Sequence, residues 1–196
     1  FATAALAHHP MGGETPDSFI DGLLSGLGHP VIGTDHLAFV IAVGLLAALA
    51  RAPLWAPVLF VAGTLAGCLL ALTGFELAIT EWLILASVLV LGGAVALGHN
   101  RVGPLELGGF TLAGLFHGMA YAEAVIGAEM TPVIAYLTGF ALVQTAIAIG
   151  AMLAVKTLWQ DDRLSLNARL AGAVVVGIGL AFTIEGIEGL IFPGGA

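Results

Sequence analysis

The side chains of this chain able to do chemistry fall in a few short stretches. The first is Gly28-His29-Pro30-Val31-Ile32-Gly33-Thr34-Asp35-His36, which brings two imidazoles and a carboxylate close together in sequence. Pro30 suits the first turn of a helix, with His29 near its cap. If that helix runs on, His29 and His36 are seven positions apart and share one stripe. Asp35 then lies about 100° round, as a ligand or as the group that holds a histidine's second nitrogen. Two imidazoles and a carboxylate suit Ni²⁺, Co²⁺, Zn²⁺ or Cu²⁺, whereas imidazole does not suit a site built for Mg²⁺ or Ca²⁺.

The second stretch is Phe116-His117-Gly118-Met119-Ala120-Tyr121-Ala122-Glu123. His117 and Tyr121 share a helix face, and Glu123 joins them only if the helix loosens at Gly118. A hydrogen bond between helices is the structural alternative for both His117 and Tyr121. In each stretch a histidine precedes a carboxylate by six residues, with Pro30 or Gly118 beside the histidine. This predicts two three-helix repeats, inverted because three is odd, the architecture in which transporters place substrate sites at interrupted helices. Glu81, and the pair Glu185 and Glu188, which share a face, are candidates for the outer mouth or for support behind the ligands. Gln144 suits either packing or a polar pathway. His99 and Asn100 lie at the expected inner mouth, and His8 and His9 form a weak pair near the amino terminus.

These groups need elements to position them, and composition says where those elements sit. Of 196 residues, 59% are hydrophobic and 9% charged, with a mean hydropathy of +1.07. A soluble domain carries roughly 25% charged residues, so lipid is the solvent here. A span needs about 20 apolar residues, and six stretches qualify: 31–50, 54–73, 79–98, 105–127, 132–155 and 170–192. The predicted fold is all-α, a polytopic membrane protein of about six transmembrane helices. Residues 1–17 are expected to be a processed or extracytoplasmic segment and 18–196 a single transmembrane domain. Within the latter, 16–28 reads as an amphipathic segment at the interface. Phe1 to Ala7 resembles the tail of a signal peptide, which puts the amino terminus outside the cytoplasm.

With that orientation the inner loops hold Arg51, Arg101, Lys156, Arg163 and Arg169, all five basic residues. The positive-inside rule therefore supports an inner-membrane protein with both termini extracytoplasmic. Of the acids only Glu106, Asp161 and Asp162 fall inside. The rest give an outer surface that draws cations, or simply complement the inner bases. Glycine pairs at Gly63/Gly67 and Gly114/Gly118 suit close helix crossings. A single cysteine, Cys68, excludes disulfides and thiolate clusters and reads as a small buried hydrophobe. Phosphate loops, dinucleotide fingerprints and a Ser-His-Asp pattern are absent from the sequence, and five basic residues exclude a nucleic-acid surface.

The chain resembles the HupE/UreJ family, hydrogenase and urease accessory membrane proteins regarded as nickel or cobalt permeases. The resemblance rests on His29-Pro30-x-x-Gly33-x-Asp35-His36-Leu37, on Glu81 followed by Ser87, and on Phe116-His117-Gly118 with Glu123. It implies a metal-ion permease with His29, Asp35, His36, His117 and Glu123 at the ion. Many members carry a further histidine where this chain has Tyr121, so one imidazole is lost here.

Three functions remain open on this reading. The leading one is a permease, not an enzyme, whose substrate is a divalent metal ion, nickel or cobalt before zinc or copper. Another is an intramembrane hydrolase that holds a catalytic Zn²⁺ on the same residues, with Glu123 as base. The third is a non-transporting accessory subunit packed against other membrane proteins or its own copies. Lipid is a partner in all three.

Overall fold

The computed structural model describes residues 14–158 and 163–192. Residues 1–13, which hold His8 and His9 and most of the expected processed or extracytoplasmic segment 1–17, lie outside the described residues, as do Asp161 and Asp162. The described residues form seven α-helices, one 3-10 turn and no strand. The protein is a polytopic helical membrane protein. α6 (Met130–Leu158) and α7 (Arg163–Ile191) are long and apolar enough to cross a membrane, and α1 (Phe19–Ile32) with α2 (Thr34–Leu49) qualify together as one broken span. α3 (Val58–Leu72) and α4 (Thr80–Ala96) are shorter apolar helices, and α5 (Pro104–Tyr121) runs into a 3-10 turn at Ala122–Val125.

The break between α1 and α2 changes how the first stretch is built. Ser18 caps α1, its hydroxyl accepting the Asp21 N–H at 3.1 Å and also bonding the Asp21 carboxylate. That cap starts the helix well upstream, so Pro30 sits in its last turn rather than its first. Proline there removes one hydrogen bond near an end, where the loss is tolerated, and the helix stops soon after. Gly33 is extended (φ −70°, ψ 100°), its N–H bonded to the His29 carbonyl at 3.2 Å and its own carbonyl receiving Leu37 N–H at 2.8 Å. The two helices meet at a 78° bend. His29 and His36 therefore lie on different helices and share no stripe.

Segment 16–28 is not an interfacial helix lying apart. Gly22 and Gly26 on α1 press onto α6, where an added Cβ would strike the carbonyl oxygens of Pro132 and Tyr136. Phe19, Ile20, Leu24 and Val31 face outward. α2 is apolar on all sides and almost wholly buried, as a central helix must be. α3 and α5 cross through reciprocal glycines: Gly63 and Gly67 meet the Thr111 and Leu115 carbonyls, and Gly114 and Gly118 meet those of Phe60 and Thr64. Such approaches need residues without a Cβ, and in lipid they are a main source of helix adhesion.

The packing pairs follow the expected repeat in most respects. Exchanging α2, α3 and α4 for α5, α6 and α7 converts the α2–α6 contact into α5–α3, and α2–α7 into α5–α4. It maps α4–α7 onto itself. All of these are present, while the α2–α4 contact has no counterpart of similar extent between α5 and α7.

Candidate metal centre

The bend at Gly33, the end of α5 and the first third of α6 converge on one buried cluster. His29, Asp35, His36, His117, Tyr121 and Tyr136 are all buried there. The His36 ring lies 4.5 Å from the Tyr121 ring and 4.9 Å from that of His117. The Tyr121 ring also stands 4.9 Å from His29, so the phenol is wedged between the two histidines of the first stretch.

The hydrogen bonds assign the nitrogens. Tyr136 donates its hydroxyl hydrogen to the Tyr121 carbonyl at 2.8 Å. It must then accept from His29 Nδ1, 2.8 Å away, which puts the lone pair of a neutral His29 on Nε2. Asp35 Oδ1 lies 2.9 Å from His36 Nδ1. The carboxylate accepts that N–H and leaves the His36 Nε2 lone pair, buried and without a hydrogen-bond partner among the described residues. Ser87 donates to the Ile84 carbonyl at 2.7 Å and stands 3.0 Å from His117 Nε2. Ser87 therefore accepts from His117, and His117 Nδ1 is the second buried, unpartnered imidazole nitrogen. Tyr136, Asp35 and Ser87 thus each hold one imidazole nitrogen, and for His36 and His117 the other is left without a hydrogen-bond partner among the described residues, the arrangement that orients histidine ligands. Asp35 here bonds the His36 ring, the geometry that the supporting role, one of the two left open for it, requires.

A buried polar pair, Thr64 and Gln144, lies beside Tyr121. Thr64 Oγ1 lies 2.8 Å from the Val61 carbonyl and 2.9 Å from the Gln144 side-chain amide. A hydroxyl has one hydrogen and cannot donate to two acceptors. The amide orientation that satisfies the set turns the Gln144 NH₂ toward Thr64, which then donates to Val61. The other Gln144 amide atom comes near the Tyr121 hydroxyl without forming a hydrogen bond to it, and that hydroxyl is buried without a hydrogen-bond partner among the described residues.

Glu81 and Glu123 are exposed, yet both act electrostatically on the His36 imidazole. Glu123 gets there because the chain tightens into the 3-10 turn at Ala122. The loosening at Gly118 does not occur, since that glycine is held helical against Thr64. Glu185 and Glu188 are exposed on α7 and make no hydrogen bond or ion pair with the cluster. Among the described residues no three His, Cys, Asp or Glu side chains already stand close enough together to hold a metal ion. What is preformed is a pair of oriented imidazoles with acidic groups around them.

The sequence model of the HupE / UreJ protein family matches residues 1–182. This chain belongs to the HupE/UreJ family. It is 30% identical to Protein HupE of Rhizobium leguminosarum bv. viciae over 166 residues, 84% of this chain and 85% of that one. No solved structure matches it. Within this HupE/UreJ chain, the residues that sequence reasoning passed over are Tyr136 and Thr64. Both carried a signal: a hydroxyl within an apolar span needs a partner in lipid.

Proposed function

We propose that this HupE/UreJ protein is a permease for a divalent transition-metal ion, nickel or cobalt in the first place, in the cell membrane with both termini extracytoplasmic. The observation that carries the reading is the pair of buried imidazole nitrogens on adjacent rings, His36 Nε2 and His117 Nδ1, neither hydrogen-bonded among the described residues. A buried polar atom without a partner is uncommon, since each costs about 1–3 kcal/mol. Two of them on imidazoles, close to Asp35, Glu81 and Glu123, suit a borderline cation that prefers nitrogen.

In this reading outer acids such as Glu76, Glu81 and Glu129 draw the hydrated ion. The His29, His36 and His117 nitrogens then replace part of its water. A pair of ligands that must be completed by side-chain movement suits an ion that has to leave again. Tyr121, Gln144 and Thr64 are the next polar groups on the inward side, while the rings of Phe39 and Phe60 close around His117. Inward release would require those rings to part, and histidine protonation could drive it.

The test is Ni²⁺ and Co²⁺ uptake into vesicles holding the purified protein, with His36→Ala and His117→Ala beside it. Uptake that falls to the level of empty vesicles in both variants is expected. Absent uptake by the wild type, or variants that transport as well as it does, would sink the proposal.

A further inference from the structure

A second polar site lies at the other end of the molecule. α4 closes at Gly98, which takes the left-handed φ of +80°. Its N–H returns to the Val95 carbonyl and that of His99 to the Ala94 carbonyl. The turn brings His99, Asn100 and Arg101 to the rim of a cavity of about 460 Å³, with Leu97 on its apolar wall. Arg169 reaches across from α7, donating Nε–H to the Ala96 carbonyl at 2.8 Å, with its stem against Gly98.

The charge balance of this cavity is positive. Glu106 is the nearby carboxylate, and it is already engaged: one oxygen lies 3.0 Å from His99 Nε2 and the other accepts Gly103 N–H at 2.7 Å. Neither Arg101 nor Arg169 forms an ion pair with a carboxylate among the described residues. The Arg101 guanidinium, the Asn100 amide and the His99 imidazole line the cavity, and the Arg169 side chain lies against its wall at Gly98; this set matches the oxygens of a phosphate, which guanidinium engages through paired donors. Leu97 on the cavity wall and Leu105, in the first turn of α5 beside the Glu106 that bonds His99, are 83% and 84% exposed, among the most exposed large apolar side chains of the described residues. That combination fits a phosphate with hydrocarbon attached.

We propose that this cavity binds the phosphate group of an anionic phospholipid, with Arg101 and Arg169 on the phosphate and Leu97 and Leu105 along the acyl chains. Basic pockets between helices at a membrane surface are general sites of this kind. The inference is independent of metal transport. In the orientation proposed above the lipid belongs to the cytoplasmic leaflet.

The experiment is native mass spectrometry of the full chain released from detergent doped with equal phosphatidylglycerol and phosphatidylcholine, with inorganic phosphate as a separate arm. Phosphatidylglycerol should be retained in preference to phosphatidylcholine, and Arg101→Gln should weaken its binding by about tenfold. Arg101 is exposed, so this variant should fold, whereas Arg169→Gln also uncaps α4 and serves as the second variant. Arg51→Gln, an exposed arginine in another loop of the same face, should leave retention unchanged. If inorganic phosphate binds equally well and competes, the phosphate site stands but its ligand is the free anion. Equal retention of both lipids, no effect of Arg101→Gln, or an equal effect of Arg51→Gln would overturn the site.

Discussion

Tyr136→Phe isolates the support behind His29. The phenol ring packs parallel to Phe140 at 5.7 Å and is fully buried, so phenylalanine keeps its volume and removes one oxygen. That oxygen serves two groups at once: it accepts from His29 Nδ1 and donates to the Tyr121 carbonyl. Each buried group left unpaired costs about 1–3 kcal/mol, so the variant should lose about 2–4 kcal/mol of stability once partial relaxation is allowed. The effect on the ion is separate. Without its acceptor, His29 can move its proton to Nε2, which would withdraw the nitrogen proposed above as a ligand. Loss of such a supporting partner lowers metal affinity by about 10–100-fold. In vesicle uptake this should appear as a raised KM for Ni²⁺ with a smaller change in maximal rate, alongside a lowered melting temperature in detergent. A variant that melts lower but keeps the wild-type KM would refute the argument, because Tyr136 would then only pack.

The glycine crossing can be tested by position. Gly67→Ala drives a methyl group into the Leu115 carbonyl, and overpacking of this kind costs about 1–3 kcal/mol. Gly150→Ala meets open space and gains helix propensity, so melting should fall for the first and hold or rise for the second. Among the acids, Glu185→Gln and Glu188→Gln should leave Ni²⁺ uptake unchanged, because neither touches the cluster. Glu81→Gln and Glu123→Gln should slow it at low ion concentration, which initial rates across a concentration series would measure.

Several of the cluster's residues were legible in the sequence because ionisable groups are rare in apolar spans and need a reason to be there. His29, Asp35, His36 and His117 stand out on that ground alone, and the structure buries all four in one place. Glu185 and Glu188 stood out equally by type and spacing, yet they face outward. Spacing shows which side chains share a helix face, but not which face the neighbouring helices cover. The stripe proposed for His29 and His36 failed for a related reason. It assumed one helix, and the Ser18 cap upstream with Gly33 downstream made two.

What the sequence determined by itself is the solvent and the class of fold. The apolar runs are long, and the backbone in lipid must satisfy its own hydrogen bonds, so they become helices wherever they pack. It also determined the chemistry on offer, imidazole and carboxylate without thiolate. Only the tertiary structure decided which nitrogen of each histidine is held by Tyr136, Asp35 or Ser87, and two of these come from other helices. It likewise decided that Tyr121 stands between His29 and His36, and that Gln144 bonds Thr64 across two helices. These are contacts between residues far apart in the chain. They arise where glycines let backbones meet, and a local pattern carries no record of which glycine faces which helix.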